Sequence, residues 1–92
     1  MKISDFQKLI YDTYYDRDAG RGLRATFTWF IEEVGELARA MRTNKGLEEE
    51  FADVCAWLFS LASIEGVNLE QALKRYENGC PKCNKLPCIC VV

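Results

Sequence analysis

Two short acidic stretches, Glu32-Glu33-Val34-Gly35-Glu36-Leu37 and Glu49-Glu50-Phe51-Ala52-Asp53-Val54, decide how this chain folds. In the first, Glu33 and Glu36 are three positions apart and Glu32 and Glu36 four, so at about 100° per residue the three carboxylates share one face of a helix. In the second, Glu50 and Asp53 repeat the three-residue spacing, and Trp57 continues their stripe one turn later. Like charges stacked in this way destabilise a bare helix by roughly 0.2 to 0.5 kcal/mol per pair, and Glu48 and Glu49 add to the crowding. The sector from Glu32 to Glu36 contains no Lys or Arg to offset it. If the two helices pack antiparallel, both acidic stripes meet at the edge of the core and offer their oxygens to one cation. An all-oxygen donor set suits Mg2+ or Mn2+ and disfavours zinc. A solvated acidic face is the alternative that spacing alone leaves open.

Working outward, Phe27, Phe30, Val34, Leu37, Ala38 and Met41 fall within one arc and predict a long amphipathic helix from about Arg24 to Arg42. Thr43-Asn44-Lys45-Gly46 supplies a stop and a turn. Leu47, Phe51, Val54, Cys55, Leu58, Leu61 and Ala62 then line a third helix ending near Glu65-Gly66, with Cys55 as a small buried hydrophobe. Before these, Ser4 and Gln7 have the spacing of a capping box, and Phe6, Leu9, Ile10 and Tyr14 predict a first helix from about Asp5 to Asp16. Arg17 to Gly22 lacks apolar periodicity and reads as a loop. Asn68 with Gln71 opens a short fourth helix through Leu69, Ala72, Leu73 and Tyr76, closed by Asn78-Gly79. No strand pattern or internal repeat appears, so the fold class is all-α.

With 92 residues the chain is one domain, and 49% hydrophobic residues give it more apolar material than so short a chain readily buries alone. A homo-oligomer is expected. The net charge of -2 argues against a nucleic-acid polymer as partner. Seven of the 14 acidic residues (Glu32, Glu33, Glu36, Glu48, Glu49, Glu50 and Asp53) crowd into one region, and that is where function belongs. The absence of histidine removes Ser-His-Asp and Cys-His catalysis and His-ligated zinc. Neither a signal peptide nor a membrane span is indicated, so a cytoplasmic location is expected.

The two acidic stretches together resemble the E-E-x-x-E and E-x-x-D signature of the MazG-like, all-α nucleoside triphosphate pyrophosphohydrolases, and the resemblance extends from Arg24 to about Asn78. It implies a four-helix MazG-like bundle completed by oligomerisation to a homodimer or homotetramer. It implies that Glu33, Glu36, Glu50 and Asp53 bind Mg2+, with Mn2+ as a substitute, and leaves Glu32 and Glu49 as catalytic candidates that either support those ligands or orient the attacking water. Lys74 and Asn78 match, loosely, positions that contact substrate phosphate or sugar in relatives. The implied reaction converts a (deoxy)nucleoside triphosphate to the monophosphate and pyrophosphate, as in house-cleaning of non-standard nucleotides. Trp29 and Trp57, each one turn from an acidic stretch, are candidates to stack on the base, with core or interface packing as the competing reading. Arg17, Arg21 and Arg24 are candidates to reach phosphates, or helix-flanking charges.

The domain is expected to span residues 1–79, leaving a Cys-rich tail over 80–92. There Cys80, Cys83, Cys88 and Cys90 form C-x2-C-x4-C-x-C, which reads as a structural Zn2+ site provided the chain folds sharply at Lys85-Leu86-Pro87. Disulfides, a redox role and free thiols are the alternatives. A helical interaction module, binding a basic partner and zinc without catalysis, is the competing reading of the whole chain.

Overall fold

The helical periodicities are realised as α1 Ile3–Arg21, α2 Leu23–Thr43, α3 Leu47–Ile64 and α4 Leu69–Leu73, the last continued by a 3-10 turn over Lys74–Tyr76. The computed structural model describes residues 1–91, and no strand occurs among them. α2 and α3 form the main pair, α1 packs on α3, and α4 leans on α1.

The α2–α3 hairpin turns where the sequence predicts. Asn44 adopts a left-handed φ of 55° and donates its N–H to the Ala40 carbonyl, and Gly46 follows with a φ of 65°. The two helices then run antiparallel, which places Glu33 near Glu50 and Asp53, and Trp29 against Trp57. On α2 the shielded positions include Thr26, Phe30, Glu33, Leu37 and Ala40; on α3 they include Leu47, Glu50, Val54, Trp57 and Leu61. Both sets alternate steps of three and four, the spacing of a helix-pair seam. The carboxylates of Glu33 and Glu50 therefore belong to the seam itself.

α1 is longer than expected. Its last turns replace the predicted loop over Arg17 to Gly22, because Asp18, which is 4% exposed, and Arg21 are inward-facing polar residues that satisfy one another. The Arg21 guanidinium donates to Asp18 Oδ1 at 2.9 Å and to Thr26 Oγ1 at 3.2 Å. Gly22 alone joins α1 to α2, at a φ of 90° that a side chain would strain. The Ser4–Gln7 capping box does not form. Helix α1 begins at Ile3, the Asp5 carboxylate accepts the Lys2 N–H at 2.8 Å, and Gln7 turns instead toward α4, bonding the Val67 carbonyl and the Leu69 N–H. The Asn68 cap does form, its Oδ1 accepting the Gln71 N–H at 3.1 Å.

The apolar arc expected to bury α2 divides in two. Phe30 and Leu37 join the seam, whereas Phe27, Ile31, Val34, Ala38 and Met41 form a second stripe that is exposed, to 62% at Met41. Phe51, Cys55 and Leu58 make a matching exposed stripe on α3, so Cys55 is not the buried residue expected. The chain is correspondingly open. Its radius of gyration is 15.5 Å, against about 12 Å for a compact chain of this length.

Candidate functional site

One oxygen from each of Glu33, Glu50 and Asp53 lies within 4.8 Å of the other two. Glu33 Oε2 and Glu50 Oε2 are shielded from solvent and have no hydrogen-bond partner, a condition that native proteins seldom leave uncompensated. Neither residue belongs to an ion pair among the described residues. Burial pushes the Glu33 carboxyl above the usual carboxylate range, and the charges of Glu36, Asp53, Glu50 and Glu32 push it further. Glu50 is raised by the same burial and by Glu36 and Asp53, against a smaller opposing pull from Arg39. Oxygen donors, partial dryness and two unsatisfied acceptors fit a hard divalent cation.

Of the other carboxylates, Glu36 is not in this trio. It lines a shallow depression with Glu32, Gly35 and Arg39, yet stands close enough to act on both Glu33 and Glu50. Glu49 and Glu32 are exposed, Glu49 in the first turn of α3.

Asp53 also borders a cleft of about 290 Å3 between α1 and α3, lined by Tyr14, Arg17, Asp18, Arg21, Ala56, Trp57 and Ser60. Trp57 stacks on Trp29 with centroids 6.2 Å apart and planes 14° from parallel, and the Arg21 guanidinium lies 5.1 Å from the centre of the Trp57 ring. Two cationic side chains and an indole thus stand beside the acidic trio. Arg24 lies elsewhere, with Leu23, Phe27 and Thr28. Lys74 and Asn78 are exposed and do not line the cleft. Their segment follows α4, which is tied to the first turns of α1 through Ser4 and Gln7, while the cleft uses the last turns of α1. A second groove, of about 350 Å3, runs past Ser4, Gln7, Lys8 and Tyr11 and has no carboxylate cluster.

Sequence reasoning missed Tyr14, Asp18, Ser60 and Arg39. Tyr14 was read only as part of the apolar face of the first helix, Asp18 falls in the segment without apolar periodicity, and the available signal was the three-residue spacing of Asp18 to Arg21 and of Glu36 to Arg39.

In the tail, the sulfurs of Cys80, Cys83, Cys88 and Cys90 all lie within 4.8 Å of one another, and none is in a disulfide. Backbone amides of Cys83 and Lys82 hold the Cys80 thiol down at about 6, and that of Ile89 lowers Cys83. Cys90, facing Cys88, Cys80 and Cys83, is pushed up to about 11.

The all-helical hairpin thus carries a carboxylate cluster beside a cleft lined by arginines and a tryptophan. The family model for the MazG nucleotide pyrophosphohydrolase domain matches residues 21–84, and the chain belongs to that family. The match takes in α2, α3 and α4 whole and runs past Cys83. No curated protein matches the chain. No single helix among the described residues is long and apolar enough to cross a membrane.

Proposed function

We propose that the chain is a Mg2+-dependent nucleoside triphosphate pyrophosphohydrolase. The observation that carries this reading is the pair of shielded, unpartnered oxygens of Glu33 and Glu50 on facing helices, beside Asp53. Glu33, Glu50 and Asp53 hold the cation, and Glu36 turns in from one helical turn away. When bound, Mg2+ (or Mn2+) offsets triphosphate charge and polarises the α-phosphorus. Arg17 and Arg21 face the phosphate chain, and Trp57, backed by Trp29, stacks on the base. Water attacks the α-phosphorus, the bond to the bridging oxygen of the β-phosphate breaks, and pyrophosphate leaves with that oxygen. Glu32 and Glu49 are the proposed carboxylates that orient this water and take its proton.

The enzyme is proposed to work as a homodimer or homotetramer, with residues 1–79 as the hydrolase domain and 80–92 as an appendage. Lys74 and Asn78, remote from the cleft within one chain, serve substrate only if they reach it across a subunit boundary. A non-catalytic acidic interaction module has less support, since such a module would present its carboxylates to solvent rather than in a helix seam. A panel of standard and modified nucleoside triphosphates, assayed with Mg2+ and with Mn2+, tests the reading. Monophosphate and pyrophosphate are the expected products; diphosphate and orthophosphate, or no turnover of any nucleotide, would refute it.

A further inference from the structure

We infer that Cys80, Cys83, Cys88 and Cys90 form a structural zinc site that folds the tail. Zn–S bonds of about 2.3 Å place the corners of a tetrahedron about 3.8 Å apart. The sulfur of Cys80 is 3.6 Å from that of Cys90, and Cys83 is 4.0 Å from Cys88. Disulfide sulfurs are about 2.05 Å apart. The chain bends at Leu86-Pro87, between the two cysteine pairs, and makes a separate tight turn through the first pair. Asn84, at a φ of 57°, donates its N–H to the Cys80 carbonyl at 2.7 Å, and the Cys80 N–H returns to the Lys85 carbonyl at 3.0 Å. Gly79 has a φ of 92°, and a Cβ there would sit 2.5 Å from the Lys85 oxygen, so the turn admits only glycine. The Cys90 N–H points at the Cys88 sulfur at 3.3 Å.

A second observation is independent of the sulfurs. Among its described residues the tail contains no helix or strand, and its large apolar side chains face solvent: Leu86 is 88% exposed and Ile89 66%. Hydrophobic burial therefore cannot offset the entropy of ordering these residues, at about 1 to 2 kcal/mol each. Binding of a thiophilic ion supplies that free energy in small domains lacking a core. The site is also chemically distinct from the oxygen-only cluster on α2 and α3, so the two sort hard and soft cations within one chain.

The test begins with metal analysis of the full-length protein purified under reducing conditions, where one zinc per chain is expected. Replacement by Co2+ should give the intense visible absorption of tetrahedral thiolate coordination. Cys90→Ser should shift and weaken that spectrum, as expected for three thiolates in place of four, and weaken zinc binding by about 100-fold or more. Gly79→Ala, which removes no thiol, should weaken it by at least about 10-fold, because it blocks the turn. Far-UV circular dichroism is the control, and both variants should keep the helical signal of the wild type. Four thiols lost as disulfides, iron in place of zinc, an octahedral Co2+ spectrum, or unchanged zinc affinity in Cys90→Ser would each overturn the assignment.

Discussion

Glu33 and Glu50 occupy seam positions that a helix pair ordinarily fills with apolar side chains, and each keeps one oxygen shielded and unpartnered. On the proposed reading, such a pair makes the metal-free protein less stable than its fold allows, and a bound divalent ion would relieve both defects together. Glu50→Gln removes one of the opposed charges. It should raise the melting temperature measured in EDTA and abolish the further rise that Mg2+ gives the wild type, both readable by differential scanning fluorimetry. Trp57 carries a different prediction. Its ring stacks on Trp29 at the cleft, with the Arg21 guanidinium 5.1 Å from its centre, and loss of a base-stacking surface is worth about 1 to 3 kcal/mol. Steady-state kinetics of Trp57→Ala should show KM raised by at least about 5-fold, with kcat changed much less.

The hairpin of α2 and α3 is the element in which the acidic cluster acts, and its pH response follows from the raised carboxyls of Glu33 and Glu50. A carboxyl that titrates higher in the folded state than in the unfolded chain binds more protons when folded. Its favourable contribution is complete below the unfolded value, near pH 4, and is lost as pH rises through the folded value. The metal-free protein should therefore lose stability as pH rises from the ordinary carboxylate range toward neutrality, and the loss should be smaller in Glu33→Gln. Chemical denaturation across that range in EDTA measures it. At this scale the sequence was informative wherever pattern and chemistry agreed: the Asn44–Gly46 turn and the Asn68 cap stand where composition puts them. It was misleading at the end of α1, where Asp18 and Arg21 satisfy each other inside the structure and so imitate a loop in the sequence. It also could not divide the apolar arc of α2, because periodicity marks an apolar face but not which neighbour covers it. Spacing put Glu33, Glu50 and Asp53 on facing acidic stripes but did not separate them from Glu32 and Glu36; the cleft was not legible, since α1 contributes Tyr14 and Arg17 from a distant part of the chain.

For the whole molecule, the accessible surface is 7134 Å2, whereas a compact monomer of this mass exposes about 5,500 Å2. The excess, roughly 1,700 Å2, is of the size that one subunit contributes to an obligate interface. It includes the exposed stripe of Phe27, Ile31, Val34 and Met41 along α2. Light scattering should therefore find a dimer or tetramer at micromolar concentration, and Ile31→Asp should shift it toward monomer. The central claim, that the seam carboxylates support Mg2+-dependent cleavage of a nucleoside triphosphate, is tested most directly by comparing pyrophosphate release by the wild type and Glu50→Gln over a Mg2+ titration. The account predicts release of pyrophosphate with the monophosphate by the wild type, none in EDTA, and a rate at least about 100-fold lower in the variant. A wild type that turns over no nucleotide, or a Glu50→Gln variant that keeps the wild-type rate and Mg2+ dependence, would contradict it.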